Sequence, residues 1–322
     1  MYSSVPDLLH TKGRRRLHLS RLRVAGALAS HEIVRRSPTP VARAIIRAAR
    51  LTLLALYPTP GNPLRRACGD IAEICRQAGY EYSTRMVYSA FACRVQYMGD
   101  AYLKAYRDGG TAVADLVEFE NQGDRLLAQI LEERKGLLLA VPHTLGAVFA
   151  GIGLAAAVPS CLLVKTRSLI NSRALRGFLE RMDVDFVLSD PTASGIQVVK
   201  ESLHRLKDGQ VLATAVERID RGRDSFSATA FGQPATLSCW PARLAAQARV
   251  PVVPCFIGIS RGKVRPVVEP PLESDDPAEI TQRCMSFFER HLLAAPWEWA
   301  FLLDKRWRRV LAQAAAPRGD LP

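Results

Sequence analysis

After Gly136 the chain alternates short, unbroken apolar runs with helical stretches. Residues 137–141 read LLLAV, the pattern of a strand covered on both faces. Stretches 160–164, 184–188, 211–216 and 250–259 repeat it, and the intervening 144–157, 172–181, 194–207 and 241–248 read as helices. Strands separated by helices must be joined by crossovers, so the expected class is α/β with a mostly parallel central sheet flanked by helices. Ahead of this core, residues 64–131 keep helical spacing. Residues 41–57 read as a helix framed by Pro38 and Pro40 before it and Pro58 and Pro60 after it. The expected organisation is a basic arm and amphipathic helix over 1–60, a helical region over 61–135 and an α/β core over 136–322. The tyrosine stripe Tyr88, Tyr97, Tyr102, Tyr106 fits core packing better than a ligand box.

Charge is concentrated outside that core. The formal net charge is +13, and residues 1–50 hold eleven basic side chains against Asp7 and Glu32. Such an arm meets a polyanion, either nucleic acid or an anionic membrane surface. Nucleic acid is not expected, because no aromatic residue stands between Tyr2 and Tyr57 and no zinc-finger, RNA-recognition or heptad signature accompanies the arm. In the 41–57 helix, Arg43, Arg47 and Arg50 share one face, with Ile45, Ile46, Ala49, Leu53 and Leu54 around them. That pattern serves an interfacial helix and equally a core-packed helix with a solvated arginine face.

Other classes are set aside quickly. No apolar run approaches the roughly 20 residues of a membrane span. The six-residue stretch 24–29 after Arg14, Arg15 and Arg16 is too short for a good secretory signal, so export is not expected. The seven cysteines are scattered without a CxxC pair, which signals neither a zinc site nor a disulfide framework and fits a reducing cytoplasm.

In a parallel sheet, chemistry gathers beyond the carboxyl ends of the strands. His143 is the only histidine directly following a buried-strand pattern, and the fourth strand runs into Glu217 and Arg218. A lone histidine is often a satisfied structural residue. A histidine oriented by a carboxylate is the usual general base for a hydroxyl, and Glu217 opens on the same sheet edge. Lys165, Arg167, Arg218 and Arg221 bring positive charge to that rim, as phosphate-binding groups or as solvated charges.

Four runs carry a family resemblance: LLLAVPHTLGAV, AVERIDRGRDSFSATAFGQPA, PARLAAQARVPVVPCFI and PWEWAFLLDKRWRR. In order and spacing they resemble the bacterial lipid A biosynthesis acyltransferases of the lysophospholipid acyltransferase superfamily, from about residue 40 to about residue 309. The resemblance implies transfer of a fatty acyl group from acyl carrier protein or coenzyme A to a hydroxyl of a lipid or glycolipid acceptor. It implies a peripheral location at the cytoplasmic face of the inner membrane, and neither metal nor cofactor beyond the acyl donor. His143 matches the family histidine, Glu217 the acid of the second loop, and Lys165 falls near the second-block arginine. The chain departs from the H-x-x-x-x-D/E motif, because Val148 stands where its acid belongs. Two readings follow: either Glu217 replaces that acid, or the protein has lost acyl transfer and binds lipid or an acyl carrier, or carries out a different chemistry. Trp240, where the family has glycine, is expected to narrow the groove, and Cys239 beside it to be packing. An acceptor embedded in lipid favours the membrane reading of the basic helix. Trp297, Trp299 and Trp307, with Lys305, Arg306, Arg308 and Arg309, are a second interfacial candidate or a core-packed C-terminus.

Overall fold

The computed structural model describes residues 36–134, 136–166, 169–190, 192–220, 222 and 225–316. Most of the basic arm, and the rim candidates Arg167 and Arg221, lie outside them. The described strands are β1 (Leu137–Val141), β2 (Ser160–Lys165), β3 (Asp185–Ser189), β4 (Val211–Ala215), β5 (Ser225–Ala230), β6 (Gln233–Ser238), β7 (Val252–Ser260) and β8 (Lys263–Val268). Six form one sheet in the order β3-β2-β4-β1-β7-β8, parallel except for the β7–β8 pair. The mostly parallel α/β architecture is therefore present.

Two features were not in the strand pattern: the antiparallel edge strand β8 and the separate β5–β6 hairpin. Both arise from two-residue turns. Arg261-Gly262 and Phe231-Gly232 each have positive φ at both positions, the geometry whose twist suits a tight hairpin. The entry to β1 also depends on glycine. Gly136 has φ +129°, and a Cβ there would lie 2.2 Å from the Leu206 carbonyl oxygen.

The N-terminal helices are α1 (Thr39–Ala55), α2 (Pro63–Gln77), α3 (Thr84–Asp108), α4 (Gly110–Ala114) and α5 (Gly123–Arg134). Asn62 and Ser83 cap α2 and α3 by accepting from backbone N–H groups of the first turns. The helices flanking the strands are α6 (Ala147–Ala157), α7 (Leu169–Arg181), α8 (Gly195–Lys207), α9 (Trp240–Ala248), α10 (Pro277–Ala294) and α11 (Lys305–Ala314). Side chains alternate along each strand, so the sheet feeds two apolar layers. Leu138, Ala140 and Leu212 join one with α8 to α11 and α2, whereas Leu139, Ala213, Val253 and Ile257 join the other with α5, α6 and α7. The α3 helix enters both, through Val87 and Phe91 on one side and Met98 and Ala105 on the other. The tyrosine stripe is packing. Tyr88 is buried and donates to the Leu53 carbonyl, and Tyr102 and Tyr106 pack against Phe178 in tilted and edge-on geometry.

The α1 helix lies close on α3: a Cβ at Gly99 would come within 2.9 Å of Ile46. Ala42 and Ile46 are its buried residues, while Val41 and Leu51 are 48% and 63% exposed. The helix is thus core-packed along one side and apolar along another. No described helix is long and apolar enough to cross a membrane.

Candidate active site

The site is built by sheet register. In the β1–β4 pair, Val141 stands opposite Ala215, so His143 and Glu217, each two residues further on, leave the sheet side by side. The Glu217 carboxylate is fully buried, and its Oε1 accepts twice from His143: from the backbone N–H at 2.5 Å and across a 2.8 Å contact with Nδ1. One oxygen therefore fixes both the main chain and the ring edge. The second oxygen, Oε2, is buried with no hydrogen-bond partner among the described residues. Burial of the imidazole opposes its charging, but the Glu217 carboxylate and its hydrogen bond outweigh this, and the His143 pKa is raised above the ordinary 6.5. Asp304 adds to the rise and Arg218 opposes it.

The ring is also held by its face. Phe301 stacks on it with centroids 4.0 Å apart and an interplanar angle of 23°. Behind the pair, Trp307 donates from Nε1 to the Glu217 carbonyl at 3.0 Å and packs edge-on against Trp299 at 5.1 Å. Trp299 and Trp307 are 0% and 1% exposed, so of the two readings open for these rings the structure selects core packing. Trp297 is partly buried against Tyr82.

His143 lines a cavity of about 940 Å³, at the large end of small-molecule sites, roughly 300–1,000 Å³. The cavity reaches both faces of the sheet. Toward α6 its wall is apolar, with Leu139, Val148, Gly151, Leu154, Leu162 and Ile257. Toward α8 and α9 it is mixed, with Thr214, Arg218, Asp220, Ser238 and Trp240. Val148 stands in the first turn of α6 and forms part of the apolar wall, so the position where the resemblance expects an acid is hydrocarbon. Trp240 is partly buried and lines the cavity, and Cys239 is buried.

Of the rim candidates, Lys165 and Arg218 line the cavity, and Arg218 reaches Asp220 at 3.7 Å. Arg167 and Arg221 fall outside the described residues. The positions that reading by strand ends missed come from the C-terminal run: Phe301, Asp304 and Arg306 all line the same cavity. Their signal was the PWEWAFLLDKRWRR segment, whose chemistry cannot be assigned until its return to the His143 loop is seen. Asp304 also caps α11, accepting from the Arg306 and Trp307 backbone N–H groups. No cluster of three metal-ligating side chains exists among the described residues.

Residues 85–309 match the family described as bacterial lipid A biosynthesis acyltransferase. The match begins later than the resemblance, which runs from about residue 40, and both end at Arg309. No curated protein matches the chain.

Proposed function

The chain belongs to the bacterial lipid A biosynthesis acyltransferase family, and from this membership we propose that it moves a fatty acyl group from an acyl thioester to a hydroxyl of a lipid or glycolipid acceptor. The donor carrier is acyl carrier protein or coenzyme A. The observation that carries the reading is His143, held by the buried Glu217 carboxylate and standing in the wall of a cavity with one apolar and one mixed arm. The apolar arm toward α6 suits the acyl chain. The mixed arm, with Lys165 and Arg218 at its rim, suits a phosphate-bearing group of donor or acceptor.

In this reading Nδ1 is committed to Glu217, which leaves Nε2 as the basic nitrogen. It takes the proton of the acceptor hydroxyl as that oxygen attacks the thioester carbonyl carbon. A C–O bond forms, the C–S bond breaks, and the proton is passed to the departing thiolate. Glu217 serves as the carboxylate that position 148 does not supply. The direct test is release of free thiol from a long-chain acyl thioester, dependent on a lipid hydroxyl acceptor and read with a thiol-reactive dye. Saturable binding of the thioester without thiol release, across donors and acceptors, would instead assign the cavity to lipid or carrier binding.

The acceptor class requires the protein to meet a bilayer, and α1 is suited to that. Its outward side carries Val41 and Leu51, with Arg43 and Arg47 exposed alongside. Apolar side chains at acyl depth flanked by arginines at headgroup depth are the features of an interfacial helix, and each basic residue near an anionic surface is worth about 1 kcal/mol. Full-length protein is expected to co-sediment with vesicles containing phosphatidylglycerol and much less with phosphatidylcholine alone. Leu51→Asp and the double change Arg43→Glu with Arg47→Glu are each expected to weaken this at least about tenfold. Undiminished sedimentation of both variants would remove α1 from the docking surface.

A further inference from the structure

We propose that Arg94 and Glu298, which lie outside the cavity wall, are positioning residues for His143. The inference deepens the acyl-transfer reading, and only its kinetic readout rests on that reading.

The connection can be followed contact by contact. Arg94, on α3, approaches Glu298 Oε1 with Nε at 2.5 Å and donates through a second guanidinium nitrogen to the Ile259 carbonyl in β7. One planar fork therefore ties a helix and the sheet to the segment that follows α10. Glu298 is 1% exposed, and burial pushes its carboxyl up to about 7 even though Arg94 pulls it down. From Glu298 the path continues through the backbone. The Leu145 N–H donates to the Glu298 carbonyl at 2.8 Å, and the Ala300 N–H donates to the His143 carbonyl at 2.8 Å. Thr144 and Trp299 pair between them as an antiparallel bridge. The next residue along is Phe301, which stacks on the imidazole.

Residues 298–301 thus form a strap that grips the His143 loop by its main chain and the ring by its face. Glu217 fixes the ring only at its Nδ1 edge, and one hydrogen bond leaves rotation about that contact open. The strap closes that freedom, and the Arg94–Glu298 pair anchors the strap at its start. An ion pair whose carboxylate is buried and whose guanidinium is 26% exposed is a poor source of net stability compared with apolar packing. Its value here is geometric: a base displaced by a fraction of an ångström loses alignment with the proton it must take.

The experiment uses full-length protein labelled with ¹⁵N-histidine, with the His143 signals assigned by their loss in His143→Gln. Stacking on Phe301 should shift the His143 ring protons upfield, and Phe301→Leu should abolish that shift. Glu298→Gln keeps the volume and one acceptor oxygen. Arg94→Lys keeps a cation but cannot make both contacts of the fork. Both variants, and Arg94→Ala more strongly, are expected to move the His143 ring protons toward their Phe301→Leu positions. In the transfer assay they should lower kcat about tenfold, less than the roughly hundredfold of a full 1 Å misplacement, with KM for both substrates nearly unchanged. Unmoved ring protons in folded Glu298→Gln and Arg94→Lys overturn the proposal, whatever happens to the rate. Should Arg94→Ala not fold, those two milder variants decide. If wild-type protein releases no thiol, the function proposal falls, while the ring-proton shifts still test the strap.

Discussion

His143→Ala is expected to lower the rate of acceptor-dependent thiol release by between about a hundredfold and ten-thousandfold, the range a positioned general base contributes. The argument rests on what the side chain can and cannot be replaced by. Phe301, stacked on the ring, and the cavity-wall residues Val216 and Pro142 cannot accept a proton. Asp304 lines the same cavity, but its Oδ1 already accepts from two backbone N–H groups at the start of α11. The substitution leaves the Glu217 contact to the residue 143 backbone N–H available, since that bond does not use the side chain. The fold should survive, with an unchanged circular dichroism spectrum as the check. Thiol release at the wild-type rate in His143→Ala would reject the residue as base.

Glu217→Gln is expected to cost nearly as much, by a different route. Glutamine can present its oxygen where Oε1 now accepts both His143 contacts. Its NH₂ can take the place of Oε2, which has no partner to lose among the described residues. Geometry is therefore largely kept and the charge alone is removed. In a serine-protease triad, the corresponding carboxylate-to-amide change lowers turnover by about 10⁴, and a loss of roughly 10²–10⁴ is expected here. The pH profile supplies the signature. Only the neutral imidazole can take a proton, so activity falls as pH drops through the His143 pKa. Glu217 is what raises that pKa above 6.5, so the acid limb should lie above 6.5 in the wild type and move to lower pH in Glu217→Gln. Loss of rate with an unmoved acid limb would show that Glu217 supports the fold and not the base.

Much of this site is legible before any coordinates, and the reasons are local. LLLAV followed by Pro142-His143 places a histidine at a strand's carboxyl end, because an apolar run of five residues framed by Gly136 and Pro142 is too short for a buried helix. The same logic sets Glu217 after β4. Neither hairpin follows from the pattern of apolar runs, although Phe231-Gly232 and Arg261-Gly262 are turn signals. The C-terminal tryptophans left two readings open, because a Trp and Arg run suits a headgroup layer and a packed helix alike. Burial of Trp299 and Trp307 against Phe231 decides between them.

The sequence by itself determined the α/β class, the strand ends that carry His143 and Glu217, and the absence of an acid at position 148, since each depends on periodicity or identity within a short window. Tertiary structure alone decided that β1 and β4 are neighbours although 69 residues separate Val141 from Val211. It also decided that the register sets Val141 against Ala215, and that residues 298–301 return to clamp the histidine loop from the far end of the chain. The physical reason is that strand adjacency and register are settled by how two apolar layers close over the sheet. That closure sums contacts from α3, α6 and α9 together, and no single stretch of sequence contains it.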